Sequence, residues 1–120
     1  MIKDDQEHPV PEEWRDILKG IADAFAAGDF ELRRPQVEGV LPISAALADS
    51  IRANVNAYGQ PLAPLDQASW QHSVCRWMDG YWQVLVDLST VSEPVSDLTL
   101  HAKVHENEHV RFEVGSVDVA

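Results

Sequence analysis

The stretch Trp77-Met78-Asp79-Gly80-Tyr81-Trp82-Gln83-Val84-Leu85-Val86-Asp87-Leu88 decides the fold. Trp82, Val84, Val86 and Leu88 occupy alternate positions, with Gln83, Leu85 and Asp87 between them. A period of two turns every second side chain to the same face, so these four residues line the buried side of a strand. Asp79-Gly80 just before it joins two such runs. A two-residue loop of that type needs positive φ at both positions, and Asp-Gly supplies it at the lowest cost. The pair therefore predicts a β-hairpin between a strand over 70–78 and one over 82–88.

The same alternation recurs downstream. Leu98, Leu100, Ala102 and Val104 interleave with Thr99, His101, Lys103 and His105, and Val110, Phe112 and Val114 with Arg111 and Glu113. Glu106-Asn107-Glu108 reads as the second hairpin tip, and residues 89–97, with Pro94, as a longer connection. Upstream the period is helical. Trp14, Leu18, Ile21 and Phe25 form one stripe, which predicts a helix over 11–27 that Gly28 ends. Ile43, Leu47, Ile51, Val55 and Tyr58 form another, which predicts a helix over 44–58 with Ser44 as its cap and Gly59 at its end. Residues 29–42, including the basic pair Arg33-Arg34 and Pro35, read as irregular chain, and residues 1–9 as a flexible tail ahead of a single domain over 10–120. The expectation is an α+β fold, ααββββ. Two N-terminal helices pack on one face of a four-stranded antiparallel meander.

Turn lengths extend this to a register. The Asp79-Gly80 loop sets Met78 against Tyr81 and Arg76 against Gln83. A tip over 106–108 sets His105 against His109, Lys103 against Arg111 and His101 against Glu113. With Leu88 opposite Leu98, Gln83 lies beside Lys103 and Tyr81 beside His105. The outward face then carries a row Arg76, Gln83, Lys103, Arg111 next to a row Met78, Tyr81, His105, His109. Like charges on adjacent strands cost stability unless something offsets them, which marks this face as a candidate binding surface. Trp70, at a strand start, joins it as an aromatic anchor. The predicted partner-binding residues are Trp70, Arg76, Tyr81, Lys103, His105, His109 and Arg111. Asp29, Glu31 and Glu38 in the 29–42 loop offer a second surface.

Composition bounds the function. In 120 residues, 20 Asp and Glu outweigh 9 Lys and Arg, for a formal charge of −11. That field repels phosphate backbones and anionic membranes, and it speeds encounter with a basic protein. The polar, acidic start lacks the basic and apolar regions of a signal peptide, and no apolar run is long enough to span a bilayer, so a cytoplasmic protein is expected. The one cysteine, Cys75, faces inward beside Val84 and acts as a small apolar residue rather than a nucleophile. His101 and His105 lie about 13 Å apart along one strand, too far to converge with His109 on a metal. No nucleotide, phosphate-loop or hydrolase motif occurs, so no cofactor, metal or catalytic residue is expected. His72 and Asp87, cross-strand neighbours in this register, read as an ordinary surface hydrogen bond.

Trp14, Leu18 and Ile21, the proline-punctuated 59–66 segment, the run 77–88, and Ser96-Asp97-Leu98-Thr99-Leu100 with Ala102 and Val104 together resemble small bacterial domains of the immunity-protein type. Such domains are found beside polymorphic or type VI secreted toxins. The resemblance spans residues 11–114 and rests on structural motifs. It implies a protein that binds and occludes a cognate toxin with a basic surface, has no catalysis of its own, and is a monomer or a homodimer. A second reading is a small ligand-binding or enzymatic α+β domain with a pocket between helices and sheet.

Overall fold

The computed structural model describes residues 2–33 and 38–119; Arg34 and Pro35 lie outside them. The chain is α+β. It runs β1 (His8–Pro9), α1 (Glu12–Ala26), α2 (Ala45–Tyr58), β2 (Leu62–Ala63), a 3-10 turn (Gln67–Gln71), β3 (Val74–Trp77), β4 (Trp82–Asp87), β5 (Ser89–Thr90), β6 (Leu98–Glu106) and β7 (Val110–Val119). The main sheet is antiparallel and has five strands in the order β1-β3-β4-β6-β7. β2 and β5 form a separate two-stranded sheet.

Both helices form where the apolar stripes fall. Glu12 and Glu13 occupy the first turn of α1, where a carboxylate meets the positive end of the helix dipole. The helix ends in a Schellman motif. The N–H of Asp29 donates to the Ala24 carbonyl at 2.8 Å and that of Gly28 to the Phe25 carbonyl at 3.0 Å. Gly28 takes the left-handed φ of 85° that this closure needs. Ser44 caps α2, its Oγ accepting from the Leu47 N–H at 3.1 Å.

The expected hairpin forms as read. Asp79 (φ 58°) and Gly80 (φ 136°) both carry positive φ, and Arg76 pairs with Gln83 and Cys75 with Val84. β4 and β6 also pair as expected: Gln83 lies opposite Lys103, and the Leu88 N–H donates to the Leu98 carbonyl at 2.9 Å. Inward residues Trp82, Val84, Val86, Leu98, Leu100 and Val104 are fully buried and meet Leu18, Ile21, Phe25 and Ile51 of the helices. Trp14 links the layers edge-on, its ring 6.1 Å from Trp82 and 6.2 Å from Phe112.

Several expectations need correction. The meander gains a fifth strand because His8 and Pro9, expected in the tail, pair with Cys75 and Val74. Lys3 lies 4.4 Å over the Trp77 ring, so the same segment also covers a half-buried tryptophan. The strand expected over 70–78 begins at Val74, and Trp70 sits in the 3-10 turn instead. There the Asp66 carboxylate accepts from the Ala68 N–H and opens a helical turn.

The second hairpin tip is displaced. Glu106 pairs with Val110, which leaves Asn107-Glu108-His109 as the loop and shifts the expected pairing by two residues. The inward–outward parity survives, but Phe112 rather than Val110 now faces Val104. The larger ring reaches Trp14, while Val110 stays 44% exposed. Glu106 is freed to accept the buried Trp82 Nε1–H at 2.6 Å, so the deepest indole is not left unpaired. β7 also runs on past Val114. A bulge between His101 and Ala102 pairs His101 with Ser116 and returns Val117 to the core.

The outer edge of β7 is closed at two points. Gly39 and Leu41 exchange bonds of 2.8 Å with the backbone of Phe112, and Asn54 Nδ2 of α2 donates to the Val117 carbonyl at 2.8 Å. Edge groups satisfied in this way are less available to another strand.

Candidate functional site

One face of the five-stranded sheet lies under the helices. The other carries outward side chains in four rows that cross the strands. Rows are two residues apart, about 6.6 Å. The row nearest the tight turns holds Met78, Tyr81, His105 and Arg111. The next holds Arg76, Gln83, Lys103 and Glu113. The third holds Val74, Leu85, His101 and Ser116. The last holds Asp87, Thr99 and Asp118, with His72 beside Asp87.

Five of the seven residues read as partner-binding lie on this face: Arg76, Tyr81, Lys103, His105 and Arg111. Their neighbours differ from the expected ones, because the shifted tip places Glu113 opposite Lys103 and Arg111 opposite His105. The basic row is therefore relieved. Glu113 Oε1 lies 2.9 Å from His105 Nε2, and Glu7 lies 3.6 Å from Arg76. Lys103 is 4.8 Å over the Tyr81 ring, and Tyr81 lies 6.1 Å from the His105 ring. An exposed cation, an aromatic and an imidazole–carboxylate pair are thus held in one patch.

The other two residues stand elsewhere. Trp70 is half-buried against the core with Arg15 of α1 5.2 Å over its ring. His109 is exposed at the β6–β7 tip, where it lines an open groove of about 660 Å³ with Glu13, Trp14, Ile17, Glu38 and Phe112. That groove lies at the rim between α1 and the sheet. Deeper between the layers the inward positions are filled by Leu18, Ile21, Trp82, Val84 and Val104, each at 0% exposure. Of the acidic loop residues, Glu31 and Glu38 line an open pocket of about 700 Å³, and Asp29 accepts from the Arg33 N–H at 2.9 Å.

Three of the buried hydroxyls are spent on backbone. Ser69 donates to the Asp87 carbonyl, Ser73 to the Ser69 carbonyl at 2.6 Å, and Ser96 to the Leu88 carbonyl at 2.7 Å. Cys75 is 1% exposed and its Sγ lies 3.6 Å from the Pro9 carbonyl. Burial pushes its thiol up to about 11, which keeps it protonated at neutral pH. Among the described residues, no three His, Cys, Asp or Glu converge on a metal position, and no helix is long and apolar enough to cross a membrane.

Sequence reasoning set His72 beside Asp87 but missed Asp118 and the hollow that these residues share at the acidic end of the sheet face. Glu7, His72, Val74, Leu85, Asp87, Thr99, His101, Asp118 and Val119 line an open hollow of about 490 Å³. Burial lifts the Asp87 carboxyl above its ordinary range, while nearby His72 and a hydrogen bond from Thr99 pull it back. The signal that would have found this hollow is the parity change at Gly115-Ser116-Val117, which makes Asp118 outward-facing.

Residues 22–120 match the model of a domain of unknown function, DUF7668, and the chain belongs to that family. No curated protein and no solved structure matches it.

Proposed function

We propose that this protein works by binding another protein, as an immunity or antitoxin-type domain that occludes a cognate bacterial toxin without chemistry of its own. The observation that carries the reading is the open sheet face, with Arg76, Tyr81, Lys103, His105 and Arg111 in two adjacent rows. Tyr and Arg are the side chains that most often dominate binding energy, and strands hold them with little loss of freedom on docking. The formal charge of −11 supports a partner of basic surface, because opposite fields steer association and fix orientation.

The test begins with the open reading frames adjacent to the gene. Each product is expressed alone and together with this protein. The reading expects one neighbour to be toxic alone, to be tolerated when this protein is present, and to form a stable complex with it. It expects Tyr81→Ala with Lys103→Glu to abolish that protection while the variant remains folded. Protection that persists in the face variant, or no neighbour that binds, would refute it.

A further inference from the structure

The open sheet face is polarised along the strands. With histidines neutral, the four rows carry formal charges of +1, 0, 0 and −2, counted from Arg111, from Arg76, Lys103, Glu113 and Glu7, and from Asp87 and Asp118. The positive end is internally compensated: Glu7 pairs with Arg76, and Lys103 covers Tyr81. At the negative end Glu7 is paired with Arg76, and among the described residues no Lys or Arg pairs with Asp87 or Asp118. Both carboxylates have an imidazole neighbour, with His101 Nε2 3.9 Å from Asp118 and His72 beside Asp87. Asp118 takes hydrogen bonds from Asn54 at 3.2 Å and Ser116 at 2.6 Å, which hold its carboxylate in place without neutralising it.

Asp87, Asp118 and Glu7 line the hollow of about 490 Å³ together with the apolar side chains of Val74, Leu85 and Val119. Resting on the docking reading above, we propose that this hollow receives an arginine side chain of the partner protein. The apolar part of the lining suits the methylene stem, and its carboxylates suit the charged head. Asp87 and Asp118 flank Thr99 on either side, so their backbones stand two strand spacings apart, about 9.6 Å. A planar guanidinium with five donors serves two carboxylates at opposite edges; a lysine ammonium is a compact point charge that favours one. Asp87 gains most, since burial already makes its charge costly and a paired cation offsets that cost. The compensated basic end then meets the partner's acidic or aromatic side, so the complex has one orientation.

The experiment uses the intact protein and defined probes. The histidine imidazole and leucine methyl resonances are followed by NMR during titration with N-acetyl-arginine methylamide, its neutral citrulline analogue and its lysine analogue. The inference expects saturable shifts at His72, His101 and Leu85 with the arginine probe only. It expects about two- to fivefold weaker binding in Asp87→Asn, as one partly exposed ion pair is lost. Leu85→Arg, which fills the hollow from within, abolishes the shifts. Circular dichroism checks that both variants fold. Shifts that are absent, that match those from citrulline or lysine, or that survive Asp87→Asn unchanged overturn the inference. The two readings fail separately. An arginine probe that binds when no gene neighbour does leaves the hollow and removes the toxin. A gene neighbour whose affinity ignores Asp87→Asn and Leu85→Arg leaves the docking face and removes the hollow.

Discussion

Cys75 offers a direct test of whether the interior is closed and chemically silent. It is 1% exposed on the inward face of β3, opposite Val84, and burial moves its thiol from 9.0 to about 11. The difference of 11 − 9.0 lowers the thiolate population about 100-fold at any pH below 9. At pH 8, iodoacetamide should therefore label the native protein at least 100-fold more slowly than the urea-unfolded chain, since only opening exposes the sulfur. The same shift has a stability consequence. The folded-state value lies above the unfolded one, so the contribution is whole below pH 9 and is lost as pH rises towards about 11. Across that window the loss is roughly 1.4 kcal/mol per pH unit, about 2–3 kcal/mol in all. Urea denaturation at pH 8, 9, 10 and 11 measures it, with Cys75→Val as the reference that lacks the titrating group. Native labelling as fast as that of the unfolded chain, or parallel pH dependence in the two proteins, would refute the reasoning.

Other perturbations test other parts of the structure. Trp14→Ala removes the ring that bridges Trp82 and Phe112 and should cost about 3–5 kcal/mol by urea denaturation. Ser44→Ala removes the α2 cap and should cost about 1 kcal/mol. Gly28→Ala meets no neighbour within 4 Å, so its cost is purely that of the left-handed backbone, about 1–2 kcal/mol. Glu113→Lys strips His105 of its carboxylate and sets two lysines opposite each other on β6 and β7. It should destabilise by about 0.2–1 kcal/mol, and added salt should restore most of that loss.

The elements with clear periodicity were legible. Trp14, Leu18, Ile21 and Phe25 placed α1, Asp79-Gly80 placed the first hairpin with its register, and Leu88 opposite Leu98 placed β6. What escaped were features decided by tertiary packing. His8 and Pro9 carry no strand signal; they pair because β3 leaves an edge to cover. The second tip slipped by two residues because parity alone cannot distinguish Val110 from Phe112 opposite Val104, and contact with Trp14 chooses the larger ring. The bulge hid Val117 and Asp118, since alternation read from Val114 puts them on the wrong faces. For the candidate site, rows were readable and partners were not. Arg76, Gln83 and Lys103 aligned as read and His72 was set beside Asp87, whereas the neutralising Glu113 and the second carboxylate of the acidic end, Asp118, depended on register beyond the second tip.

The central claim is that the uncovered sheet face docks a partner protein. Amide hydrogen exchange, measured with and without whichever purified gene-neighbour product binds the protein in the co-expression test, addresses it most directly. The expected result is slowed exchange confined to β3, β4 and β6 at the open face, with the solvent side of α2 unchanged. Protection centred on α2 or on the acidic loop around Glu31 and Glu38, with the sheet unaffected, would contradict it.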